Sequence, residues 1–168
     1  QGAIPEQYRA VMGNRIYGCD DCQLVCPYNR EAPLTQESDF FAREPLHGNS
    51  LLNLFSWDEQ TFLQQTEGSA IRRIGYAKWQ RNISVALGNA PKDAATVSAL
   101  ELKSKCLLSL KNTFNQAVSE MTSNTQAEIS TAYGFAQIPT LEDITMLIEH
   151  MTWALAAHGQ SDMSRQQA

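Results

Sequence analysis

A mainly α-helical protein with an irregular, cysteine-bearing head is the architecture this sequence predicts, and three observations carry it. Four of the six prolines (Pro5, Pro27, Pro33 and Pro45) fall before Ser56, together with Gly13, Gly18 and Gly48, so long regular elements are improbable there. From Ser56 onward, apolar residues recur at helical spacing between short breaks. Nowhere does an alternating strand pattern or a low-complexity tract interrupt that reading.

The elements follow in order. Ser56-Trp57-Asp58-Glu59 reads as a capping box, in which the Ser56 hydroxyl and the Glu59 carboxylate satisfy free amide donors at a helix start. That helix runs to about Thr66 and stops before Gly68. A helical stretch covers Ser69 to Ile74, and the next helix covers Tyr76 to Leu87 with Gly88 as terminator. Pro91 suits the first turn of the following helix. Its apolar face is Leu100, Leu107, Leu110, Phe114, Ala117, Val118 and Met121. Asn124 or Thr125 caps a helix through Ala136, and Pro139 breaks it. Thr140 caps the last helix, whose stripe is Ile144, Leu147, Ile148, Met151, Ala154, Leu155 and His158; Gly159 closes it. One-sided helices joined by short breaks suggest stacked pairs of the HEAT-repeat kind, although no clean repeated motif is visible. The expected division is an irregular head over 1–55, a HEAT-like α-helical domain over 56–160 and a frayed polar tail over 161–168.

Composition narrows the function classes. The chain has 168 residues, 43% of them hydrophobic and 18% charged, so a packed core is expected. Its opening, Gln1-Gly2-Ala3-Ile4-Pro5, lacks an initiator Met and reads like the middle of a longer protein. No apolar run approaches the roughly 20 residues that span a bilayer, and no signal-peptide pattern opens the chain. A net charge of −5 confines any polyanion binding to a local basic patch.

Of the four cysteines, Cys19, Cys22 and Cys26 crowd into eight residues, and Cys106 lies far away. A secreted disulfide framework spreads its cysteines more evenly, so the cluster points to metal ligation in a reducing, cytoplasmic setting. The run is C-x2-C-x3-C-P, ending at Pro27. Thiolates at such spacing reach one metal centre, and the terminal Cys-Pro step is typical of bacterial ferredoxins, whose full run is C-x2-C-x2-C-x3-C-P. One cysteine of that run is missing, and three thiolates alone do not close a four-iron cluster. A structural zinc site would need a fourth ligand, for which His47 or Cys106 is available. A redox dithiol is the weaker alternative, since no βαβ pattern surrounds it. Cys106 itself reads as a core thiol in an apolar helical segment.

A second cluster is basic. Arg72, Arg73, Lys78 and Arg81 gather within ten residues, interleaved with Tyr76 and Trp79. Such a patch contacts phosphates while an aromatic stacks on a base; the plain alternative is a solvated helix face, or Arg side chains packed over Trp79. His150 and His158, roughly 12 Å apart along one helix, do not share a metal ion. His158 has a helix-dipole explanation at the end of its helix. Glu142, Asp143 and Glu149 read as surface acids. No Gly-rich phosphate loop, nucleophile elbow or catalytic acid–base pair is present.

Two ordered motifs carry a family likeness. The segment from Gly13 through Cys19, Cys22 and Cys26 to Asn29 closely resembles the second cysteine motif of epoxyqueuosine reductases. So do Glu67 to Gly75, then Trp79, Arg81-Asn82 and Ala86 to Pro91, with the likeness returning at Glu149-His150 and Trp153 to Leu155. The resemblance implies a cobalamin-dependent reductase with two 4Fe-4S clusters, a ferredoxin-like module and a HEAT-like C-terminal domain, acting on epoxyqueuosine at the wobble position of tRNA. By that likeness, Cys19 and Cys22 serve one cluster, with an earlier cysteine of the same motif, and Cys26 serves the other. It also makes Arg72, Arg73, Lys78 and Arg81 better candidates for contacts with the anticodon region of tRNA, and it implies a reducing partner.

The departures bear on what the chain can do. The upstream cluster motif, the cobalamin domain and the catalytic acid of the family have no counterpart here, so no catalytic residue is expected in this chain and no activity from it alone. Tyr28 and Tyr76 stand where the family often has Trp and His, and residues 94–140 do not match the family pattern. Two further readings stay open: a freestanding helical tRNA-binding module and a zinc-stapled interaction domain. Partial disorder of the first 50 residues, or a Cys19–Cys22 disulfide formed in air, is expected where no cluster forms.

Overall fold

The computed structural model describes residues 2–41, 46–120 and 139–165. Among these, every regular element is helical and none is a strand. Five helices form the body: α1 (Leu51–Ser56), α2 (Glu59–Gln65), α3 (Tyr76–Asn89), α4 (Ala94–Glu120) and α5 (Leu141–Arg165), with a 3-10 turn at Ala70–Ile74. The head ahead of them has only single helical turns, at Glu6–Arg9, Ala10–Met12, Asp21–Leu24, Pro27–Asn29 and Ser38–Phe40.

The core sits where α3 packs against α5 and where α4 packs against α5. Ile83, Val85 and Ala86 of α3, Leu100 and Leu110 of α4, and Ile144, Met151 and Ala154 of α5 are fully buried. The expected stripes of α4 and α5 are therefore the buried ones as far as Phe114 and Leu155. At the other end, α1 and α2 close over the start of α3 through aromatic rings. Trp57 stacks on Trp79 with centroids 6.1 Å apart, and Phe62 tilts against Trp79 at 5.5 Å and Tyr76 at 6.0 Å. Rings at such separations add to the area they bury.

Several boundaries differ from expectation. The helical body begins at Leu51, inside the head read as irregular: Ser50 caps α1 by accepting from the Asn53 amide at 3.1 Å. Ser56 is the last residue of α1 and its hydroxyl donates back to the Asn53 carbonyl. Asp58 caps α2 instead, accepting from the Thr61 amide at 2.7 Å, which holds its carboxyl below the usual carboxylate range. Gly88 does not end α3, which continues to Asn89. A Cβ there would come within 2.7 Å of the Trp153 ring and 2.9 Å of the Ala154 backbone, so the glycine is what lets α3 and α5 approach. Pro91 lies ahead of α4, and Asp93 caps that helix by accepting from the Thr96 amide at 3.1 Å. Gly159 does not close α5, which runs on to Arg165 through part of the predicted tail. Thr140 does cap α5, accepting from the Asp143 amide at 3.1 Å. The helix expected over 124–136 and the side chains of Ala117, Val118 and Met121 lie outside the described residues.

Candidate functional site: the cysteine loop and its anchorage

The three clustered cysteines lie on a loop built by local rules. Gly18 (φ 65°) turns the chain, and Asp20 continues in the left-handed region at φ 53°, a conformation Asp tolerates better than most side chains. The Asp20 carbonyl then accepts from the amides of Gln23 and Leu24, both at 2.9 Å, and one helical turn lifts Cys22 clear of the chain. Cys26 precedes Pro27, which starts the next turn, and Asn29 ties that turn back by donating to the Gln23 carbonyl at 3.1 Å. Arg15 spans the loop to Asp21 at 2.7 Å, and the carboxylate beside it holds the guanidinium charged above its ordinary range. Cys19 and Cys22 are exposed and Cys26 is half-buried.

No group of three or more His, Cys, Asp or Glu side chains converges to a metal-holding geometry among the described residues. Cys106 and His47 do not join the three loop thiols in such a group among the described residues. Nor is Cys106 a core thiol: it is exposed on α4. The donor set on the loop, three thiols around one turn, suits a ligand share rather than a complete site.

What holds the loop in place is polar and long-range. The segment 2–16, which feeds into it, lies across α3 and α5, and side chains from those helices grip its backbone. Asn82 donates to the Ile16 carbonyl at 2.8 Å; Asn89 donates to the carbonyls of Arg9 and Gly13 at 2.8 and 2.9 Å. Arg81 donates to the Gly2 carbonyl and to the Asn82 side chain. Arg9 is buried and pairs with Glu149. His150 accepts from the Ile4 amide through Nε2 at 3.0 Å, while its Nδ1 lies 2.7 Å from the Met146 carbonyl. An amide can only donate and a carbonyl can only accept, so this geometry requires a neutral imidazole with its proton on Nδ1. Burial first, then the Arg9 and Arg81 charges, push its pKa below the ordinary value against the Met146 carbonyl and Glu149.

Sequence reasoning passed over most of these anchors. Glu149, read as a surface acid, is the partner of a buried arginine. His158 lies inside α5, and its Nε2 reaches the Leu87 carbonyl at 3.0 Å, so the helix-dipole account gives way to a bond between α3 and α5. Asn82 and Asn89 carry no periodic signal of their own; only their place in the family-like words marked them.

The basic cluster divides. Arg72 and Arg73 are exposed on the 3-10 turn, Lys78 is half-buried early in α3, and Arg81 faces segment 2–16. Tyr76 and Trp79 are buried, so neither presents a ring for base stacking. The basic turn and the cysteine loop are nonetheless neighbours: the Tyr17 hydroxyl donates to the Ala70 carbonyl at 3.3 Å. A cavity of about 360 Å³ lies between them, bordered by Arg15, Tyr17, Cys19, Ile74 and Asn82. No helix among the described residues is long and apolar enough to cross a membrane.

The comparisons with known proteins bear out the likeness. Over 101 residues the chain is 70% identical to the epoxyqueuosine reductase of Shewanella oneidensis, covering 60% of this chain and 26% of that protein. It is 63% identical to the Escherichia coli epoxyqueuosine reductase over 101 residues, covering 60% and 27%. The chain thus spans about a quarter of the length of the curated relatives it matches. No family model matches. A solved epoxyqueuosine reductase with an epoxyqueuosine-modified tRNA-Tyr stem loop shares the fold at a TM-score of 0.56 and 22% identity, over 90% of this chain and 41% of that one.

Proposed function

We propose that this chain is the C-terminal part of an epoxyqueuosine reductase, contributing cysteine ligands to its iron–sulfur centres and a basic turn to its tRNA surface. The observation that carries the reading is the 70% identity to such a reductase, joined to a loop that presents its thiols without completing a metal site. In this reading the irregular head, expected over 1–55 and ending at the Ser50 cap of α1, is the end of a ferredoxin-like module and its linker. A HEAT-like helical domain follows from Leu51, and the docking of segment 2–16 against α3 and α5 sets where the loop stands.

Cys19 and Cys22 are assigned to one 4Fe-4S cluster and Cys26 to the other, with the remaining ligands and the cobalamin supplied from outside this chain. When bound, the clusters supply the electrons of the reduction, delivered by a reducing partner. The residues seen here hold the apparatus: Arg15–Asp21 braces the loop, and Asn82 and Asn89 fix its approach. Arg72, Arg73 and Lys78 are placed to meet phosphates of the tRNA anticodon region, with Arg81 organising the segment behind them. Such chemistry belongs to the cytoplasm, where thiols stay reduced.

The test is metal analysis of the whole gene product, prepared anaerobically. Cys22→Ala and Cys26→Ala are each expected to remove about half the iron and sulfide, the share of one of two equal clusters. Stoichiometric zinc retained by this chain alone, with no iron in the longer protein, would overturn the assignment. For the basic turn, Arg72→Ala with Arg73→Ala should weaken stem-loop binding and shallow its log–log salt slope by about 2; an unchanged slope removes that surface from the reading.

A further inference from the structure

Away from the cysteine loop, α1, α3, α4 and α5 enclose a second cavity of about 390 Å³ whose walls are mostly apolar: Leu52, Leu107, Leu147 and Met151 line it, and exposed Leu102 and Cys106 stand at its mouth. One cation enters it. Lys103 is drawn in from α4, and its Nζ lies 4.5 Å from the centre of the Phe55 ring. Its hydrogen bonds go to neutral oxygens: the Phe55 carbonyl at 2.7 Å, Gln80 Oε1 at 2.8 Å and, at a long 3.4 Å, the Tyr76 hydroxyl. That hydroxyl already donates to the Trp57 carbonyl at 2.8 Å. Lys103 makes no ion pair among the described residues. Burial pushes the amine down to about 8; Asp58 and the Cys106 thiol are the titratable groups that act the other way. A mostly apolar pocket of a few hundred Å³ with one convergent charged group is the usual form of a small-ligand site.

We propose that this cavity binds a small amphipathic anion, its apolar chain against Leu52, Leu107, Leu147 and Met151 and its charged oxygen on the Lys103 ammonium. The anion supplies the counter-charge the cavity lacks, and its oxygen takes the place of the long contact to Tyr76. A neutral molecule of the same shape gains the apolar contacts only, and a cationic one meets Lys103 as a like charge. The site is separate from the cysteine loop and does not depend on the reductase reading.

Octanoate is a suitable probe, with octanol and octylammonium as matched controls. Cys106 stands at the mouth, so occupancy is read on the wild-type protein as protection of Cys106 from alkylation, with Cys19 and Cys22 as internal standards in the same digest. Millimolar octanoate is expected to slow Cys106 at least five-fold while leaving Cys19 and Cys22 unchanged, octanol to slow it far less, and octylammonium not at all. At pH 8.5, above the free amine's value of about 8, binding should draw a fraction of a proton from solution as more of Lys103 becomes charged, seen as a buffer-dependent heat. Lys103→Met should weaken octanoate at least ten-fold, and Lys103→Arg should weaken it less. Equal protection by octanol and octanoate, no protection at all, or unchanged octanoate affinity in a folded Lys103→Met protein would each overturn the proposal.

Discussion

Between Gly18 and Phe41, the side chains of Leu24, Val25, Tyr28, Leu34 and Phe40 stand more than 70% exposed; between Tyr76 and Leu87, Trp79, Ile83, Val85 and Ala86 are at 0%. The helical body is held by apolar burial that it completes within itself. The cysteine loop buries almost nothing and is located by a few polar side chains that reach back from α3 and α5 to the backbone before it. Position and stability thus come from different interactions in different places.

The largest expected effect lies in the body. Trp79→Ala removes the ring on which Trp57 stacks and should cost about 3–5 kcal/mol, measured by chemical denaturation. A loss under 1 kcal/mol would mean that the aromatic cluster is not the packing centre described. Gly88→Ala forces a methyl group against Trp153 and the Ala154 backbone and should cost about 1–3 kcal/mol in the same assay. No loss there would show that α3 and α5 are not in close approach.

Asn89→Ala should sharpen the contrast. It leaves the carbonyls of Arg9 and Gly13 without their donor and should cost about 1 kcal/mol. Amide exchange should quicken over residues 4–17 while α3 and α5 keep their protection; acceleration spread evenly over the molecule would make the asparagine part of the body instead. Acid acts at the same interface. The folded-state pKa of His150 lies below its unfolded value, so the anchorage is intact above about pH 6.5 and weakens as pH falls. Exchange at Ile4 and its neighbours should rise on going from pH 7.5 to 5.5 after correction for intrinsic rates, and His150→Gln should flatten that dependence. The smallest effect belongs to the loop: Leu34→Ser, at 94% exposure, should shift stability by less than about 0.5 kcal/mol.

The contrast also explains what was legible in the sequence. The stripes of α4 and α5 were plain because burial on one face leaves a 3.6-residue signature, and Leu100, Leu107, Leu110, Ile144, Leu147 and Met151 are buried as that signature requires. The C-x2-C-x3-C-P run was plain because ligand spacing is local. Contacts between a side chain and a distant backbone leave no such trace, so Asn89 with Gly13 and His150 with Ile4 went unread. Asp58 and not Ser56 caps α2, because Ser56 is already the last residue of α1. Gly88 was read by its commonest use, termination, when a neighbouring helix needed its missing side chain. Lys103 lay within an apolar stretch and gave no hint of turning inward.

The bond from Ile4 to His150 spans 146 residues of chain. A ribosome adds roughly 5–20 residues each second, so the first part of the segment to be made waits roughly 7–29 s for the helix that will hold it. Cys19, Cys22 and Cys26 emerge during that wait on a tether that Asn82 and Asn89 of α3 can grip before α5 is made. The order of synthesis therefore leaves the anchorage of the cysteine loop incomplete until the last helix has been made.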